Sequence, residues 1–144
     1  MKLPAGSTPL IAGGLALVTA FGTTLPWALA FIISIDGTDS DRGIVTLLAA
    51  LAAAGICAWR AFFRLDARWY FAAGLPLALI MAFMPAWFLI DVRSTPPVEL
   101  FGAEVNVLSP SPALYLTIIA AFGYAGALIM ELLWFVALTL QRKG

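Results

Sequence analysis

The amino-acid sequence predicts an all-α membrane protein, a bundle of four transmembrane helices. Two observations carry that prediction. Apolar residues make up 62% of the 144 and charged residues 11%, less than half of the roughly 25% that a soluble domain carries. A chain this short leaves too much surface in water to bury so many apolar side chains. The charges also fall in clusters, and long apolar runs lie between them. Eight Lys and Arg balance eight Asp and Glu, so there is no basic surplus to neutralise phosphates and nucleic acid is excluded as a partner. The partners implied are the lipid bilayer and other membrane subunits or copies of the chain itself.

The first run carries no charge from Leu3 to Ile35, and its span is placed at 10–31, long enough for a bilayer core of about 30 Å. Lys2 ahead of it and Ala28-Leu29-Ala30 after Pro26 also have the look of a signal peptide, but the weak basic start favours a retained span. The second span, 43–63, lies between Arg42 and the Arg60, Arg64, Arg68 cluster, with Arg60 snorkelling to the interface. The third, 69–90, lies between Arg68 and Asp91, and the fourth, 113–140, is broken only by Glu131. Residues 1–144 thus form one domain, with outer loops at about 32–42 and 91–112. Lys2, Arg60, Arg64, Arg68, Arg142 and Lys143 fall on one side, and only Arg42 and Arg93 on the other. That asymmetry predicts a multi-pass protein of the bacterial plasma membrane with both termini cytoplasmic.

Leu25-Pro26-Trp27 leading to Asp36 and Met84-Pro85-Ala86-Trp87 leading to Asp91 make the two halves look alike. The likeness reads equally as a duplicated hairpin and as Pro and Trp standing where any membrane helix ends. Ala12, Ala16 and Ala20, then Ala50, Ala54 and Ala58, then Ala121 and Ala125 form small-residue stripes. Such stripes let helix backbones approach closely in lipid.

Histidine is absent and Cys57 is the single cysteine. That removes His-ligated metals and haem, the usual general base, and any intrachain disulfide or thiol pair. The sequence predicts no cofactor and no catalytic constellation. Glu131 is the one charge well inside a span, about two turns or roughly 12 Å from its inner end. A carboxylate there needs a proton or a partner. Its readings are an ion pair with Arg60, a transport or pore residue, and an interfacial contact.

In the first outer loop Asp36, Asp39 and Asp41 are the metal candidates, since three carboxylates lie within six residues. Their spacing is not that of an EF-hand, and an acidic solvated turn is the commoner outcome. In the second, the run from Val98 to Val107 alternates around Gly102. It predicts a β-hairpin with a turn of the glycine-first kind, joining the stretch after Pro26 in a small outer sheet. Phe101, Glu99, Glu104 and Val105 are its candidate interaction surface.

Leu25-Pro26-Trp27, the segment Ser34 to Asp39, Gly43, the Ile90-Asp91 end of the third helix and the Leu114-Tyr115-Leu116-Thr117 entry to the fourth resemble uncharacterised actinobacterial small four-helix membrane proteins. The family's loop has glycine where this chain has Ser40 and Arg42, which counts further against a metal. The resemblance implies the topology and no activity. The layout is also similar to that of claudins, but their paired loop cysteines and Gly-Leu-Trp signature are missing. With no intramembrane polar cluster visible, the expected function is association: an accessory or stabilising subunit, or a homo-oligomer. The alternatives are an oligomeric channel lined by Glu131, and a lipid-handling transporter or enzyme.

Overall fold

The computed structural model describes residues 7–30 and 33–144. Lys2 of the basic count and Phe31, the last residue of the first predicted span, lie outside them. Four helices dominate: α1 (Ser7–Thr23), α2 (Asp41–Phe63), α3 (Ala67–Ser94) and α4 (Pro112–Gln141). Each packs on its two neighbours, so that α1, α2, α3 and α4 close into a ring. α2, α3 and α4 are long and apolar enough to cross a membrane, whereas α1 has 17 residues.

The helical part of the first predicted span therefore stops at Thr23, not at residue 31. Local chemistry explains the early end. The Thr23 and Thr24 hydroxyls turn back onto the carbonyls of Ala20 and Phe21. Thr24 N–H also closes a three-residue turn onto Phe21, and Pro26 disfavours helical geometry at Leu25. The chain then runs out as β1 (Pro26–Ala30), returns as β2 (Ile33–Asp36), and enters α2 through a single 3-10 turn, Gly37–Asp39.

In the second outer loop, β3 (Val98–Leu100) and β4 (Ala103–Val105) pair only with each other. β5 (Leu108–Pro110) pairs with β1, giving a three-stranded antiparallel sheet in the order β2, β1, β5. A sheet built from both outer loops is thus present, but its third strand is 108–110 and not the alternating stretch before it. The hairpin turn differs as well: Phe101 and Gly102 have φ of 53° and 81°. Positive φ at both central residues defines the type I′ turn, not the glycine-first type II′.

Trp27 is the pin that fixes this end of the molecule. It is fully buried, donates from Nε1 to the Gly22 carbonyl at 3.0 Å, and packs edge-on to Phe88. Ser111 holds β5 to it from the far loop: its N–H donates to the Trp27 carbonyl at 3.0 Å and its hydroxyl to that of Pro26. Gly37 and Gly43 lie in such close contact that a side chain on Gly43 would overlap the Gly37 carbonyl. Ser40 caps α2 beside them, its Oγ accepting from Gly43 N–H at 3.0 Å.

The two halves do not match in detail. α3 continues through buried Pro85, which gives the Met81 carbonyl no N–H, and Trp87 sits half-exposed on that helix. Trp27 is in a strand. The buried faces of α1 and α2 are made of small side chains. Ala12, Ala16 and Ala20 are buried as the spacing predicts, but the buried stripe of α2 is Thr46, Ala50, Ala53 and Cys57. Ala58 is exposed. Thr19, Thr46 and Thr117 are fully buried and donate to the carbonyl four residues back. Outside, Leu17, Phe21, Leu79, Phe83, Ile119 and Met130 are largely exposed.

Candidate functional site

Three helices converge on a polar cluster in the half of the bundle away from the sheet. α2 contributes Cys57 and Arg60, α3 contributes Tyr70, and α4 contributes Tyr124 and Glu131. Cys57 continues the buried row of Ala50 and Ala53 on α2, and Tyr124 lies between buried Ala120 and Leu128 on α4, so both face the core. Tyr70 enters from the first turn of α3, which Asp66 caps by accepting from Arg68 N–H at 3.2 Å.

Cys57 Sγ lies 3.8 Å from Tyr70 Oη. The Tyr70 hydroxyl is also beside the Glu131 carboxylate, on which Arg60 acts through space. Tyr124 is fully buried next to Cys57, and a side chain on Gly74 would come within 3.4 Å of its hydroxyl. Two atoms of the cluster, Tyr124 Oη and Glu131 Oε2, are buried without a hydrogen-bond partner among the described residues. A buried polar atom left unpaired costs about 1–3 kcal/mol. This is a feature that an apolar packing role alone does not call for.

Arg60 and Glu131 do not form the direct ion pair that their depth suggests. Among the described residues the ion pair within 4 Å is Arg42 with Asp91. The Arg60 guanidinium instead donates to the Leu65 carbonyl at 2.5 Å and lies 5.5 Å from the Tyr70 ring centroid. The α2–α3 turn explains this: with Arg64 in the left-handed conformation at the end of α2, the Leu65 carbonyl is the nearer acceptor. Tyr70 therefore stands between the two charges. The expectation that no polar cluster exists inside the bundle is overturned too. Its members are 10 or more residues from their partners on other helices, and only packing brings them together.

The arrangement holds one carboxylate, one guanidinium, two phenols and a thiol. It has the parts to hold a proton at Glu131 and to tie α2, α3 and α4 together. At the other end, the Asp39 carboxylate accepts from Asp36 N–H at 3.0 Å, and Asp41 begins α2. Among the described residues no three metal-ligating side chains gather. Arg42 lies 4.5 Å over Trp87, and Arg93 donates to Tyr115 Oη at 2.8 Å. Glu99 and Glu104 face each other across the β3–β4 hairpin, Val105 pairs with Val98, and Phe101 stands wholly exposed at its tip. No family model, curated protein or solved structure matches the chain.

Proposed function

We propose that the chain is a four-helix integral protein of the plasma membrane, termini cytoplasmic, that works without catalysis by associating in the membrane. It serves as an accessory or stabilising subunit of a larger complex, or assembles with copies of itself. The observation that carries this reading is the β3–β4 hairpin. Two strands of three residues are marginal on their own, and this pair keeps Val98, Leu100 and Ala103 exposed and Val105 only half-buried. The register puts Val98, Leu100, Ala103 and Val105 on one face and Glu99 opposite Glu104 on the other. Like charges directly across a ladder oppose pairing. Phe101 adds a left-handed backbone and a full aromatic surface at the tip. A partner covering the apolar face and offering a cation to the acids relieves the exposed apolar surface and the like-charge pair at once.

The oligomeric channel asks Glu131 to line an axis between copies. Its Oε2 atom is buried within one chain, which favours association. A lipid-handling enzyme or transporter needs polar groups around an open cavity, and the surface grooves along Gly55, Ala58, Trp59 and Phe63 and along Val45, Leu48, Ala49, Leu77 and Ile80 are lined almost wholly by apolar side chains. The test is the mass of the particle solubilised gently from its own membrane. The expected particle is heavier than one chain, and Phe101→Ser reduces it to one chain while helix content stays unchanged. A wild-type particle of a single chain refutes the reading.

A further inference from the structure

Three exposed tryptophans stand at one level of the bundle, near the end away from the sheet. Trp59 is on α2, Trp69 on α3 and Trp134 on α4. Contacts of their sequence neighbours fix the level. Arg60 lies over the Tyr70 ring, and Phe71 packs on Phe135 with ring centroids 6.0 Å apart. Trp59 adjoins Arg60 in the chain, Trp69 adjoins Tyr70, and Trp134 adjoins Phe135. Buried Trp27 donates its indole N–H to Gly22, but among the described residues these three have no acceptor within the chain. An exposed indole suits the edge of a bilayer, with its ring in hydrocarbon and its N–H among headgroups.

The sheet end has a matching level. Arg42 of α2 lies 4.5 Å over Trp87 of α3, and Tyr115 of α4 accepts from Arg93 at 2.8 Å. Trp69 and Trp87 are 18 residues apart, or about 27 Å of helix. Tyr115 and Trp134 are 19 apart, about 28 Å, and Arg42 and Trp59 are 17 apart, about 26 Å. Three helices thus give one separation. Between the levels they carry a single charge, Glu131, three residues inside Trp134. α1 fits the same interval, although it has only 17 residues and no charge. A side chain on Gly22 would meet Thr117, two residues from Tyr115, and one on Gly13 would meet Cys57, two residues from Trp59. The six residues from Gly13 back to Ser7 add about 9 Å, which carries α1 past the level of Trp59.

We infer that the belt between these two levels is the lipid-contacting surface, matched to a thin hydrocarbon layer of about 27 Å that all four helices cross. An average layer is about 30 Å thick. α1, about 25 Å long, falls short of that by more than a turn's half but nearly fills the thinner one. The α2–α3 turn with Arg64 and Arg68 then falls outside the layer. Glu131 lies only three residues within it, so the polar cluster begins at the headgroups and not at mid-depth. The inference deepens the membrane reading above and rests on it.

The test places the full chain in vesicles of phosphatidylcholine brominated either just below the headgroup or near the chain ends. Four variants keep Trp27 and one of Trp59, Trp69, Trp87 and Trp134, with phenylalanine at the other three. A variant with Trp27 alone supplies the background. Each retained tryptophan is expected to lose about twofold more emission to the shallow bromines than to the deep ones. Stronger quenching by the deep bromines at any of the four overturns the levels, as does one tryptophan untouched by either lipid while the others are quenched. The wild type checks the thickness without substitution. Its thermal stability across phosphatidylcholines of graded chain length should peak at a hydrocarbon thickness of about 27 Å. A peak above about 30 Å, or no dependence on thickness, overturns the match. Failure of the wild type to float with any vesicle overturns the membrane reading as well, so the two failures are distinct.

Discussion

Tyr70 is the residue on which the inner cluster turns, because it touches the Cys57 thiol, underlies Arg60 and adjoins Glu131. Removing its hydroxyl leaves the ring packing intact and cuts the polar link. Tyr70→Phe is therefore expected to cost about 1 kcal/mol, measured as thermal stability in detergent. Glu131→Gln should cost less in that background than in the wild type, since groups in one network are not additive. Strictly additive losses would show that Tyr70 and Glu131 act separately. Glu131 was legible in the sequence as the one charge in a span. Tyr70, Tyr124 and Cys57 were not, because an aromatic or a cysteine in an apolar run looks like any core residue. The signal available was that Tyr, unlike Phe, needs a partner for its hydroxyl when buried.

Among the elements, the helices were legible because charged residues punctuate them: Arg42 opens α2, Asp66 and Arg68 open α3, and Asp91 and Arg93 lie in its last turn. Strand β5 was not, since it ends in Pro110, a residue that argues against a strand. It forms because Ser111 anchors it to the backbone of β1. The β3–β4 hairpin was visible in its alternation, but its turn type was not, because Phe is an unexpected residue at a left-handed position. That position costs a non-glycine residue about 1 kcal/mol. Phe101→Asn supplies the residue that a type I′ turn prefers. Amide exchange across 98–105 should slow in this variant, reporting a firmer hairpin, while the association read from particle mass weakens. A hairpin that exchanges no more slowly would mean that Phe101 carries no backbone strain.

For the whole molecule, the charges sort by what they are tied to. At the sheet end Arg42 is paired with Asp91, and Arg93 donates to Tyr115. At the opposite end Arg64 and Arg68 have no such partner among the described residues, and Arg142 and Lys143 follow α4. Translocation is opposed by basic residues near helix ends, and the unpaired ones lie together at the end opposite the sheet. The orientation expected of the chain rests on the count of Lys and Arg near the helix ends. Both termini should lie in the cytoplasm and the hairpin outside. Reporters of sidedness fused after residue 144 and inserted within 99–105 should light up on opposite faces. Replacing Arg64 and Arg68 with Glu should weaken that bias, giving a mixed population, because it removes the strongest anchor of the inner turn. A loop reporter that is cytoplasmic in the wild type would reverse the orientation.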